Sequence, residues 1–110
     1  LRGARESSRD ARRKTDLELI RSGIEIYKSD CGGYPLSLGQ TLVGDDSTPS
    51  CASSNTYIAS VPKDPVTGSA YPYSSTGTAY TLCAALEQPP NPPMSCLPLC
   101  PSCNYKVVNQ

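Results

Sequence analysis

Six cysteines are the side chains best equipped for chemistry in this 110-residue chain: Cys31, Cys51, Cys83, Cys96, Cys100 and Cys103. As thiolates they are soft metal ligands, and Cys83, Cys96, Cys100 and Cys103 offer the four sulfurs of a structural zinc site. The spacing Cys96-x3-Cys100-x2-Cys103 is irregular, the chain has no histidine, and Pro98 and Pro101 stiffen the loop. An even cysteine count in a small chain rich in Pro, Ser and Thr points instead to disulfides and an oxidising compartment. Six cysteines allow fifteen connectivities (an arithmetic bound that spacing alone does not reduce). The pairing expected first is Cys31–Cys51, which would pin a loop to the end of the first predicted helix. No metal ligand set and no cofactor are expected.

The second group is basic. Arg5, Arg9, Arg12, Arg13 and Lys14 crowd one short stretch. Such a cluster can hold nucleic-acid phosphates or anionic lipid. No aromatic residue is interleaved with it to stack bases, and Asp10, Asp16 and Glu18 stand close enough to neutralise it within one helix. The reading favoured is a solvated, salt-bridged helix face whose Arg5, Arg9, Arg12, Arg13 and Asp16 contact neighbouring copies of the chain. Asp45 and Asp46 are adjacent acids in a loop, without the opposed geometry that paired catalytic carboxylates need. Without a histidine, a nucleophile elbow or a phosphate loop, general-base and nucleophilic catalysis have no machinery here. The chain reads as a non-enzyme.

These groups must be positioned by a long helix. Leu17, Ile20, Ile24 and Tyr27 recur at spacings of 3, 4 and 3, one face of a helix, with Leu19 and Ile26 expected to widen it. No proline occurs before Pro35, and Cys31-Gly32-Gly33 supplies the stop. Asp10/Lys14 and, in reverse order, Arg12/Asp16, Lys14/Glu18 and Arg21/Glu25 stand four apart, each pair worth about 0.2–0.5 kcal/mol. Residues 1–30 carry eight basic and six acidic groups against two and four in residues 31–110, so basic charge is confined to the helix. Before Asp16 there is almost no apolar face, and this half is expected to project from the body.

The chain has no Phe or Trp, so the body, 31–110, shares an aromatic core made from the chain's seven tyrosines, a thin core that needs staples. An irregular stretch, 31–61, follows the helix. Lys63-Asp64-Pro65-Val66-Thr67-Gly68 is turn chemistry. Ala70–Tyr73 reads as an edge strand demoted by Pro72. Residues 78–86 alternate best, with Tyr80, Leu82, Ala84 and Leu86 on one face. Residues 88–103 form a Pro/Cys-rich loop, and 104–109 a last strand able to pair back on 78–86. The sheet thus spans 69–87 and 104–109. The fold class expected is α+β: a long N-terminal helix packed on a small antiparallel β-sheet, stapled by disulfides.

The run from Ala4 to Pro35, with Ala11-Arg12-Arg13-x-x-Asp16-Leu17 and Gly33-Tyr34-Pro35, resembles bacterial type IV pilins and the major pseudopilins of type II secretion. Pro62-Lys63-Asp64-Pro65-x-Thr67-Gly68 and Tyr71-x-Tyr73 continue the resemblance, which covers roughly 4–87. It implies a prepilin-like subunit whose transmembrane half, an apolar stretch of about twenty residues, would precede Leu1. Leu1 to Ser8 would then be the junction between that segment and the head-bound half.

The resemblance further implies a filament subunit, polymerising through its N-terminal helix and displaying its head on the cell surface after insertion in the cytoplasmic membrane. Its partners would be copies of itself, other pilins and the assembly machinery of the inner membrane. Two departures stand out. Beyond Glu87 the family pattern is lost. The calcium loop typical of major pseudopilins has no counterpart, because Glu87 is the only acid between Ser74 and Gln110 and calcium takes six to eight oxygens. These departures rank a pilus subunit first, ahead of a secretion pseudopilin and of a DNA-uptake or adhesion pilin.

Overall fold

The computed structural model describes residues 2–110, with side chains from Gly3 onward; the Leu1 end of the expected junction lies outside the described residues. Helix α1 runs Arg2–Cys31. It stops where Gly32 takes φ 84° and donates its N–H to the Lys28 carbonyl at 2.8 Å, a left-handed closure that a side chain would strain. Leu17, Ile20, Ile24 and Tyr27 are buried, as their spacing predicts. Leu19 and Ile26 do not widen that stripe: they lie on the other side of the helix, 49% and 56% exposed. At about 100° per residue, both fall outside the arc that meets the body.

After α1 come two small antiparallel sheets. Strands β1 (Leu42–Val43) and β2 (Thr56–Ile58) pair with each other inside the stretch expected to be irregular, flanking a 3₁₀ turn at Pro49–Cys51. Strands β3 (Tyr73–Ser75), β4 (Tyr80–Ala84) and β5 (Tyr105–Val108) form the main sheet in the order β3-β4-β5. The predicted pairing of the last strand holds, with Leu82 opposite Val107 and Cys83 opposite Lys106. The edge strand begins later than Ala70. Ala70 makes only an isolated bridge to Lys63, and ladder pairing starts at Tyr73, one residue past the proline that has no N–H to give.

Alternation along β4 and just past its end puts Tyr80, Leu82, Ala84 and Leu86 in one core with the helix stripe, all buried. Tyrosines replace the missing Phe and Trp. Tyr34 meets Tyr80 edge-on with centroids 4.8 Å apart, and Tyr27 meets Tyr57 at 5.4 Å. Such pairs add about 0.5–1.5 kcal/mol beyond area burial. All six cysteines are paired: Cys31–Cys51 as expected, then Cys83–Cys96 and Cys100–Cys103. The four C-terminal sulfurs are therefore bonded to one another rather than free to hold zinc.

Candidate subunit-assembly surface

The charged residues of α1 divide into a clamp facing the body and a remainder facing outward. Arg13 is the centre of the clamp, 3% exposed. Its Nε donates to Asp64 Oδ2 at 2.8 Å, Nη2 to Asp64 Oδ1 at 3.2 Å, and Nη1 to Asp10 Oδ1 at 2.8 Å and Glu87 Oε2 at 2.7 Å. Arg9 closes on the other side of Glu87, Nε at 2.7 Å and Nη2 at 2.6 Å. A planar guanidinium with a fixed fork of donors is the group suited to several carboxylates at once.

Each acid of the clamp also organises backbone. Asp64 accepts the N–H of Val66 at 2.9 Å and of Thr67 at 3.1 Å, so the predicted turn and the anchor for Arg13 are one residue. Asp10 accepts the N–H of Glu87 at 2.9 Å and of Gln88 at 2.8 Å, holding the chain where it leaves the sheet. A turn further along, Asp16 accepts the Tyr71 hydroxyl at 2.7 Å and Arg12 Nε at 3.4 Å.

The electrostatics follow the geometry. Arg13 first, and the turn N–H groups after it, draw the Asp64 carboxyl down to about 2. Arg9 and then Arg13 draw Glu87 down to about 2. Arg13 itself is raised by Asp64, Glu87 and Asp10. Burial, then the bond to Asp16, raises the Tyr71 phenol. Burial and the bond to Glu25 push Tyr34 up to about 12.

Of the five residues predicted to touch neighbouring copies, Arg13 and Asp16 are turned inward and Arg9 is half-buried against Glu87; Arg5 and Arg12 stay exposed. The expectation that the first half of the helix projects from the body is corrected: Arg9, Asp10 and Arg13 already hold it there. The reason is that the contact is ionic. An apolar-periodicity test cannot see it, and the signal was present only as acids at 64 and 87 with no local partner.

Outward of the clamp, Ala4, Ser8, Ala11, Thr15, Leu19, Ser22 and Ile26 recur at spacings of 4, 3, 4, 4, 3 and 4 and are all exposed. Beside the last of these, an open recess of about 450 Å³ runs between Leu19, Ser22 and Ile26 and the Tyr57–Ser60 stretch. Among the described residues the grouping closest to a metal ligand set is Cys31, Asp45 and Cys51, whose two sulfurs are spent on each other. No helix of the described residues is long and apolar enough to cross a membrane.

A long helix clamped along one side to a small disulfide-stapled sheet, bare along the other, defines a pilin-like α+β subunit. A family model described as type II secretion system (T2SS), protein G matches residues 1–85, and the chain belongs to that family of structural, non-catalytic assembly subunits. Comparison with curated proteins and with solved structures gives no match. The family match reverses the order drawn from the missing calcium loop: the secretion pseudopilin comes ahead of the pilus subunit. It ends at residue 85, so Glu87 and the sulfurs of Cys96, Cys100 and Cys103 lie beyond it.

Proposed function

We propose that the protein is a pseudopilin that polymerises through α1, side by side with copies of itself, into a filament of a type II secretion system. The observation that carries this reading is the outward stripe from Ala4 to Ile26, small in its first half and apolar at Leu19 and Ile26, on a helix whose opposite side is fully engaged. Small residues let helix backbones approach, and apolar ones supply the burial. Arg5 and Arg12 border the stripe on one side and Glu18 on the other, so adjacent helices bring opposite charges together. In this reading an apolar membrane segment precedes Leu1, and the head faces away from the cytoplasm. The partners are copies of the chain and the membrane-bound assembly machinery. Nucleic-acid binding is disfavoured because Arg9 and Arg13 already saturate carboxylates of the same chain.

The test uses the full-length protein in secreting cells. Ala11→Glu and Leu19→Glu should abolish filaments seen by electron microscopy, while the soluble domain keeps its melting temperature. Normal filaments from both variants would reject helix-mediated assembly.

A further inference from the structure

The four C-terminal cysteines form two bridges that differ in what they protect. Cys83 and Cys96 are buried, at 0% and 3% exposure, and their bridge ties β4 to the Pro-rich loop across thirteen positions. Cys100–Cys103 joins residues only three apart, in the run Cys-Pro-Ser-Cys. A bridge over so few residues removes the least chain entropy from the unfolded state, so it is the poorest staple of the three. Its two sulfurs are also unequal: Cys100 is half-buried, and Cys103 is buried, packed with Cys83 and Cys96. An open recess of about 240 Å³ lies against Cys100, Ser102 and Cys103 on one side and Thr67, Ser69 and Pro72 on the other. Ser102 Oγ stands 3.6 Å from Cys100 Sγ, within reach to donate to a thiolate there.

We propose that Cys100–Cys103 is a thiol–disulfide exchange site whose substrate is an external dithiol. A thiolate of the dithiol attacks Cys100 Sγ, the accessible sulfur, forming a mixed disulfide as the Cys100–Cys103 bond breaks and Cys103 leaves as thiolate. The second thiolate of the dithiol then attacks its own sulfur in that mixed disulfide and releases Cys100. Two electrons and two protons pass from the dithiol to the protein, which ends as the Cys100/Cys103 dithiol, and the reductant ends as its own disulfide. The reverse sequence, begun by the Cys100 thiolate beside Ser102, reduces an external disulfide. The other bridges differ: Cys83 and Cys96 are both buried, so neither sulfur is open to attack, and Cys31–Cys51 spans twenty positions and pins the end of α1.

The experiment treats the native oxidised protein with limiting dithiothreitol, quenches with iodoacetamide and maps the modified cysteines by mass spectrometry. Cys100 and Cys103 should be labelled about tenfold faster than the other four, with circular dichroism and the rest of the fold unchanged. With glutathione in place of dithiothreitol, the trapped adduct should sit on Cys100. Comparable rates for all three bridges, an adduct on Cys103, or loss of the fold when only this pair is reduced would each overturn the proposal. The Cys100→Ser/Cys103→Ser double variant supplies a second reading: it should fold with an unchanged melting temperature and show no fast labelling. Fast labelling that persists in it at other positions would equally reject the assignment.

Discussion

Arg13 reaches Asp64 with two nitrogens, at 2.8 Å and 3.2 Å, across fifty-one positions of chain, and the contact is almost wholly shielded from water. Shielding decides its weight. Removing one partner of a buried pair leaves an uncompensated charge and costs about 3–5 kcal/mol, whereas exposed pairs are worth about 0–1 kcal/mol. Arg13→Ala should therefore lower the urea stability of the soluble domain by that larger amount, because Asp10, Asp64 and Glu87 lose a shared cation together. Arg12→Ala, at an exposed arginine 3.4 Å from Asp16, should stay within about 1 kcal/mol. Equal losses for the two variants would mean that the clamp is ornamental.

The same clamp sets an acid limit. Asp64 falls from its ordinary 3.8 to about 2 on folding, and Glu87 from 4.5 to about 2. Their stabilisation is complete above the unfolded values and drains away as pH falls through the folded ones. Melting temperature should thus hold steady down to about pH 5 and drop between about pH 4 and pH 2. Asp64→Asn should flatten that drop while lowering the plateau. A drop centred near pH 6 would point to a group other than these acids, since the chain has no histidine.

Much of this architecture was legible in the chain. The 3-4-3 stripe from Leu17 to Tyr27, the glycine stop after Cys31, the Asp64–Gly68 turn and the alternation of Tyr80 to Leu86 all follow from local periodicity and turn chemistry. The Cys31–Cys51 bridge followed from a loop that returns to the helix end. What escaped was non-local and polar. In the sequence Glu87 is a lone acid, and nothing marks it as the partner of Arg9 and Arg13, because ion pairs across 78 and 74 positions leave no periodic trace. The inward turn of Asp10, Arg13 and Asp16 shares the helical period of Leu17 and Ile20, but binary patterning counts these residues as solvent-facing. Leu19 and Ile26 face outward for the mirror-image reason: apolar character alone does not place a residue on the buried arc.

Gly23 offers a packing test on the helix itself. A methyl group added there would meet the Ile58 side chain and lie 3.0 Å from the Tyr57 carbonyl oxygen. In an open helix Gly→Ala gains about 1 kcal/mol from propensity. Here overpacking against a strand backbone that cannot swing aside costs about 1–3 kcal/mol. Gly23→Ala should come out net destabilising, by denaturant melting, and Ser22→Ala beside it, exposed, should be neutral or slightly stabilising. A stabilised Gly23→Ala domain would show that β2 yields.

Amide exchange along α1 joins the clamp to assembly. The first turn has no acidic residue to favour its dipole, and the Gly3 carbonyl accepts from Gln88 Nε2 at 3.2 Å. The first N–H groups of a helix have no intrahelical partner, so this end frays first. Exchange should be fast from Gly3 to Ser8 and slow from Asp10 to Tyr27, with the boundary at the first clamp residue rather than at Leu17, where the apolar stripe begins. In Arg13→Ala the boundary should move towards Leu17, because Asp10 loses the cation that ties it to Asp64 and Glu87. In assembled filaments, protection should extend back to Ala4 as neighbouring helices cover the outward stripe. A boundary that stays at Asp10 in Arg13→Ala would mean that the backbone bonds from Glu87 and Gln88 to Asp10 hold the helix alone, and the guanidinium would be left without a positioning role.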